Sequence, residues 1–150
     1  MNELVGKTFS SVLMSEGNDY LVFKGTDAIV AYLASGDCCS VSWFEAITNV
    51  ENLIDSEILS VESKEFEVPE DPEGKFDCLQ CFGWTIKTAK GYADIEFRND
   101  SNGYYGGEAS YLMHGFITEK DGTQYLDAPN DKRYWRPSNP VALKPYKDKK

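Results

Sequence analysis

The chain has 150 residues, of which 41% are hydrophobic and 13% aromatic, and it carries a formal net charge of −10 at pH 7. This length and composition predict a single folded domain over residues 1–150 and exclude a disordered chain. The acidity excludes direct binding to nucleic acid or to anionic membranes, because like charges repel. The chain has no apolar run of membrane-spanning length and its first residues lack a signal-peptide pattern, so we expect a cytoplasmic protein without structural disulfides.

The negative charge is unevenly distributed along the chain. Residues 132–150 hold seven Lys or Arg and one acid, whereas residues 1–131 hold eight Lys or Arg and 24 acids. Residues 130–150 also contain three prolines, which predicts a basic C-terminal tail that is docked on the acidic body or partly frayed. The acidic body suits a basic partner, including a host protein whose nucleic-acid-binding groove this chain could occupy.

Short segments rich in β-branched and aromatic residues predict antiparallel strands. They cover residues 8–14, 20–23, 28–33, 57–68, 82–88, 92–98, 109–118 and 124–126. The first three form a meander, because only short turns separate them. A change of phase within residues 57–68 indicates a bulge, and Asp121 with Gly122 has the composition of a hairpin turn.

One helix is predicted over residues 42–55. Ser42 and Glu45 have the spacing of a capping box. The apolar residues that follow lie on one helical face, at Trp43, Ile47, Val50 and Ile54. We expect this face to pack against Val22, Ile29, Leu33, Trp84, Ile86 and Phe97. The predicted fold is therefore α+β, a curved antiparallel sheet of about seven to eight strands with one helix packed on it.

Two motifs of this sequence resemble those of a known family. The first is GDCCS at residues 36–40, followed by Ser42 and Trp43, and the second is NGYYGG at residues 102–107. Together with residues 58–62 they are similar to an uncharacterised family of small proteins from bacteriophages and bacteria, over about residues 4–110. The resemblance implies a small cytosolic accessory protein of the kind that phages encode, and it carries no activity over.

An acidic loop is the first candidate binding site. Residues 55–77 hold nine acids and two lysines, and two prolines and a glycine within residues 69–74 break both strand and helix periodicity. The candidate binding residues of this loop are Glu67, Glu70, Asp71 and Glu73.

A pocket between the two motifs is the second candidate site, for a small molecule or a nucleotide. Tyrosines on a glycine-rich loop offer contact area and a hydroxyl at low entropic cost, although one of them could equally be packed in the core. The candidate residues are Asp37, Ser40, Asn102, Tyr104 and Tyr105.

The cysteines allow two further interpretations. Cys38 or Cys39 could act as a nucleophile with His114, the single histidine of the chain, although small buried cysteines are the commoner outcome. Cys78 and Cys81 have the spacing of a zinc knuckle, but the chain lacks a second pair at that spacing. We therefore expect no metal or other cofactor, with zinc as a weaker alternative.

The sequence favours a non-enzymatic, acidic binding or inhibitor protein. Its expected partner is a basic or nucleic-acid-binding host protein, such as one that a phage accessory protein blocks in the bacterial cytoplasm. A small-molecule or nucleotide binder is the alternative, and a cysteine-dependent enzyme is the third possibility. The oligomeric state stays open.

Overall fold

The computed structural model describes residues 1–36, 40–102, 106–112, 116–127 and 140–148. Its eleven strands are β1 (Ser11–Ser15), β2 (Tyr20–Lys24), β3 (Ile29–Gly36), β4 (Val41–Thr48), β5 (Ile58–Glu65), β6 (Cys78–Thr88), β7 (Gly91–Ser101), β8 (Gly107–Leu112), β9 (Phe116–Lys120), β10 (Thr123–Asp127) and β11 (Val141–Pro145). The helices of these residues are two 3-10 helices, Asn2–Leu4 and Val50–Leu53. In the part of the chain so described, no helix is long and apolar enough to cross a membrane.

The strands form two antiparallel sheets. A seven-stranded sheet has the order β8-β3-β2-β1-β11-β10-β9 and curls into a half-barrel, and a four-stranded sheet has the order β4-β7-β6-β5. The late strand β11 lies between β1 and β10, and just beyond it the hydroxyl of Tyr146 accepts a hydrogen bond of 2.8 Å from the backbone N–H of Ile47. The segment around β11 therefore contributes to both sheets.

Alternate residues of the seven-stranded sheet face two separate hydrophobic clusters. The cluster between the two sheets includes the buried rings of Phe9, Phe23, Tyr32, Phe44 and Phe97. The cluster on the opposite face includes Leu13, Tyr20, Leu112, Leu126 and Leu143. The expectation that residues 43, 47, 50 and 54 pack together with all six sheet residues was wrong. Val22, Ile29 and Leu33 belong to the second cluster, whereas Trp84, Ile86 and Phe97 belong to the first.

The predicted helix over residues 42–55 was also wrong. Val41–Thr48 form β4, which pairs with β7, and the chain then turns at Asn49 into the 3-10 helix Val50–Leu53. A bulge between Phe44 and Ala46 adds one residue, so Phe44 and Ile47 both face the core although they lie three positions apart. Trp43, which was predicted to share a helical face with Ile47, lies on the opposite face and stacks on Phe76. The β-branched and aromatic residues of the segment favour a strand. The fold is therefore all-β and not α+β.

Several strand predictions are confirmed. The meander forms β1, β2 and β3, and the hairpin over residues 82–98 forms β6 and β7, whose ladder runs from Cys78 to Thr88. Asp121 and Gly122 connect β9 to β10, both with positive φ, as a two-residue turn requires. The bulge of β5 lies between Ile58 and Ser60. The predicted number of strands was too low for three reasons: β4 was assigned to a helix, β11 to an irregular tail, and residues 109–118 to one strand. The structure has β8 and β9 in place of that last strand, at opposite edges of the seven-stranded sheet.

Candidate functional site

The acidic loop, residues 66–77, is anchored at both ends on the outer face of the four-stranded sheet. The ring of Phe66 packs over Gly83, where a Cβ would come within 3.2 Å of Phe66 Cε2. At the other end Phe76 stacks on Trp43, with ring centroids 6.0 Å apart and an interplanar angle of 28°. The composition of this loop predicts only an irregular segment, whereas in the structure two aromatic contacts hold it against the sheet.

A turn centred on Asp71 organises the middle of the loop. Its carboxylate accepts hydrogen bonds of 2.9 Å each from the backbone N–H groups of Lys75 and Phe76, and its carbonyl accepts one of 3.1 Å from Gly74. The bonds from Phe76 and Lys75 lower the pKa of Asp71 below its usual range. Asp71, a predicted binding residue, therefore stabilises the turn of the loop by accepting backbone hydrogen bonds.

The other three predicted acids of the loop face solvent. Glu67, Glu70 and Glu73 are exposed, and Glu73 makes an exposed ion pair of 3.5 Å with Lys75. The nearby Lys64 is already bound to Asp94, at 2.6 Å, and lies 4.9 Å from the ring centroid of Phe66. The loop consequently presents a net negative surface on a backbone that is held in place.

Beside the loop, a charged cluster that the sequence analysis missed lies on the outer face of the sheet. Arg98 is bound by Glu96 through Nε at 2.5 Å and by Glu45 through Nη1 at 3.5 Å, and Trp43 Nε1 donates to Glu45 at 2.8 Å. Burial alone would lower the pKa of Arg98, but the hydrogen bond to Glu96 and the two carboxylates raise it. The alternation of residues 94, 96 and 98 with the core residues 95 and 97 is the signal that places this cluster on one face.

The two motifs meet at a second place, which we name the polar corner and define as Gly36, Ser40, Ser42, Asn99 and Gly107. Gly36 pairs with Gly107 between β3 and β8, and Ser40 Oγ donates to the carbonyl of Gly106 at 3.2 Å. Ser42 is no helix cap; its hydroxyl donates to Oδ1 of the fully buried Asn99 at 2.8 Å.

Close packing explains the glycines of the polar corner. A Cβ at Gly107 would lie 2.0 Å from Ser42 Oγ and 2.6 Å from Asn99 Oδ1, and one at Gly36 would lie 2.3 Å from Ser40 Oγ. Asn99 is fully buried, so the half-buried hydroxyls of Ser40 and Ser42 are the groups of the polar corner that could contact a polar ligand. Among the predicted pocket residues, Ser40 and the exposed Asn102 lie in the described chain. Asp37, Tyr104 and Tyr105 lie outside it.

The cysteine predictions divide in the same way. Cys38, Cys39 and His114 lie outside the described residues. Cys78 and Cys81 are free thiols on β6, and residues three apart in one strand point to opposite faces, so this pair does not form a knuckle. Burial raises the pKa of the Cys81 thiol, against the opposing effect of Arg98. Among the described residues, no three His, Cys, Asp or Glu side chains are grouped to hold a metal ion.

Comparison with known proteins identifies a family and one relative. The model of DUF7448, a domain of unknown function, matches residues 2–111. The chain is 30% identical over 90 residues to the uncharacterized protein L278 of Acanthamoeba polyphaga mimivirus, an alignment that covers 58% of this chain and 71% of the relative. No solved structure matches the chain. The family match includes both the acidic loop and the polar corner, whereas β9, β10 and β11 lie beyond it.

Proposed function

The chain belongs to the DUF7448 family, and we propose that it is a non-enzymatic binding protein whose acidic loop docks on a basic surface of a partner protein. The observation that carries the proposal is the anchoring of the acidic loop. Glu67, Glu70 and Glu73 stand exposed on a segment fixed by Phe66 and Phe76. A loop held in one conformation loses little entropy on binding, so its charges serve recognition at low cost.

Charge defines the class of partner. Residues 1–131 carry 24 acids against eight Lys or Arg, which accelerates encounter with a basic protein and suppresses encounter with nucleic acid. A nucleic-acid-binding groove is a strongly basic protein surface, so the proposed mode is occupation of such a groove in place of its ligand. The proposal includes an accessory role in infection, such as blocking a host defence protein in the host cytoplasm, and the one relative named above is encoded by a virus.

The proposal is tested by neutralising the acidic loop without disturbing its turn. A loop variant carries Glu67→Gln, Glu70→Gln and Glu73→Gln, and Asp71 is retained because it bonds the backbone. A matched control variant loses the same charge from exposed acids elsewhere, through Glu16→Gln and Asp27→Asn in the turns that follow β1 and β2 and Glu119→Gln in β9. The two variants have the same net charge, so any difference between them reports position.

The measurement is quantitative capture from a bacterial lysate by the wild type and both variants, with partners identified by mass spectrometry. We expect basic proteins that the wild type and the control variant retain and that the loop variant loses, with capture weakening as salt rises. Equal retention by all three proteins would refute the proposal, and so would capture that is indifferent to salt.

The meeting of the two motifs at the polar corner favours a second candidate function, the sequestration of a small molecule or nucleotide. Ser40 and Ser42 supply two half-buried hydroxyls beside Gly36 and Gly107, and the hydrogen bonds from Ser42 to Asn99 and from Ser40 to Gly106 hold these hydroxyls in place. Native mass spectrometry of the purified protein, compared with its denatured mass, tests this function. Extra mass of ligand size supports it, and a native mass equal to that of the bare chain counts against it.

A further inference from the structure

Strand β5 is an open edge of the four-stranded sheet. It pairs with β6 on one side, and none of the described residues forms a strand on its other side. The backbone N–H of Phe66 donates to the carbonyl of Cys81 at 3.1 Å. This bond shows which residues of β5 point their backbone N–H and C=O groups toward β6. Because an antiparallel ladder bonds every second residue, the N–H and C=O groups that point outward belong to Val61, Ser63 and Glu65.

The open edge has a defined beginning and end. At its start, Gly6 donates to the carbonyl of Ile58 at 2.8 Å and Ile58 donates to the carbonyl of Lys7 at 2.9 Å, so the chain already uses this edge for backbone hydrogen bonds. Two exposed apolar side chains flank the free part, Leu59 at 48% and Val68 at 56% exposure. The free stretch is therefore about the length of one short strand.

We propose that an extended, basic segment of the partner adds to β5 as a further strand. This inference rests on the proposed function and names the way in which the partner is held. Main-chain bonds to Val61, Ser63 and Glu65 supply the attachment, and Leu59 and Val68 receive apolar side chains at its two ends.

Charge selects the occupant of the edge. Glu62, Glu65 and Glu67 are exposed along it, and the one lysine of the strand, Lys64, is neutralised by Asp94 at 2.6 Å. A second copy of this chain would bring like charges together across the new strand pair, which destabilises the pair. Charged residues also protect open edges from aggregation, and the experiment separates that protective role from strand addition.

The first test uses a short synthetic peptide in which lysine alternates with valine, and the same peptide N-methylated at every second residue. Both peptides carry equal charge, but methylation removes main-chain donors from one edge. We expect the methylated peptide to bind the wild-type protein about tenfold more weakly, since it cannot form the strand ladder. Equal affinities would overturn strand addition while leaving charge-driven binding intact, whereas no binding of either peptide would refute the proposed function as well.

The second test changes the protein. Ser63→Pro removes an outward N–H that the β5–β6 ladder does not use, and proline is tolerated at such edge positions. Ser63→Ala is the control, because it removes the hydroxyl and keeps the N–H. We expect the proline variant to bind the unmethylated peptide about tenfold more weakly and the alanine variant to bind it as the wild type does. Equal binding by the two variants would overturn the inference.

Amide hydrogen exchange on the wild-type protein gives a readout that does not depend on any variant folding. Binding of the unmethylated peptide should slow exchange at Val61, Ser63 and Glu65, whereas Glu62 and Lys64 are already bonded to β6 and should change little. Slowing at every second residue of β5 is the signature of an added strand. Binding of the peptide with no slowing at those three amides would overturn the inference.

Discussion

Replacing Gly107 by alanine tests the polar corner directly. The new methyl group would lie 2.0 Å from Ser42 Oγ and 2.6 Å from Asn99 Oδ1, both far inside contact distance. Neither atom can retreat freely, because the two are hydrogen-bonded to each other at 2.8 Å and Asn99 is fully buried. The substitution should therefore break that hydrogen bond and push β8 away from the four-stranded sheet.

The expected cost follows from these contacts. Overpacking costs about 1–3 kcal/mol and the loss of a buried hydrogen bond about 1 kcal/mol more, so Gly107→Ala should lower the free energy of unfolding by about 2–4 kcal/mol. For a chain of this length the midpoint of thermal unfolding should fall by roughly 4–16 °C. Urea and thermal denaturation measure both quantities.

The neighbouring glycine provides the control for this substitution. A Cβ at Gly106 would meet no described atom within 4 Å, and its φ lies outside the left-handed region. Gly106→Ala should therefore change the free energy of unfolding by no more than about 0.5 kcal/mol. If the alanines at 106 and 107 had equal effects, the close contact between β8 and the Ser42–Asn99 pair would be wrong.

Three further predictions concern other parts of the molecule. Burial opposes the ionisation of Asp94, but the hydrogen bonds that its carboxylate accepts, chiefly from Lys64, lower its pKa on balance. Ionised Asp94 therefore stabilises the fold at a pH above the ordinary carboxyl pKa, and this stabilisation is lost as the pH falls through the lowered pKa. In Asp94→Asn, the free energy of unfolding from urea titrations should therefore fall less between neutral and acid pH than in the wild type. Tyr146→Phe leaves the buried N–H of Ile47 without its acceptor and should cost about 1–2 kcal/mol in the same assay, whereas no change would show that the bond is not formed. Alkylation followed by peptide mass spectrometry should label Cys81 far more slowly in the native than in the unfolded protein, because burial raises its pKa; equal rates would contradict its place in the sheet.

The strands that follow a strict two-residue alternation could be predicted from the sequence. Ile95 and Phe97 face the core while residues 94, 96 and 98 face outward, and this pattern gives the hairpin without knowledge of the rest of the fold. The helix prediction failed because it set Trp43, Ile47, Val50 and Ile54 on one face. In the structure Trp43 lies on the outer face of the sheet, and the bulge after Phe44 brings Phe44 and Ile47 to the core. A local pattern does not distinguish a bulged strand from a short helical stripe, since both bring residues three apart to one side.

The site could be predicted only in part. The sequence brought the two motifs together as a hypothesis, and the pairing of Gly36 with Gly107 shows that the motifs meet. The anchoring of the acidic loop could not be predicted, because the stacking of Phe76 on Trp43 joins segments that are distant in the chain and depends on β4 being a strand. The spacing of Cys78 and Cys81 indicates a zinc knuckle only where the two residues lie in a turn. Their pairing with β7 shows that they lie in a strand, and this pairing could not be predicted from the local sequence.

The affinity of the wild type and the two triple variants for one captured partner tests the central claim most directly. Titration calorimetry at fixed salt compares the loop variant, lacking the charges of Glu67, Glu70 and Glu73, with the control variant of equal net charge. The proposal predicts a dissociation constant at least about tenfold higher for the loop variant and nearly unchanged for the control. Equal weakening of both would mean that only net charge matters, and the claim that the anchored acidic loop is the binding surface would be contradicted.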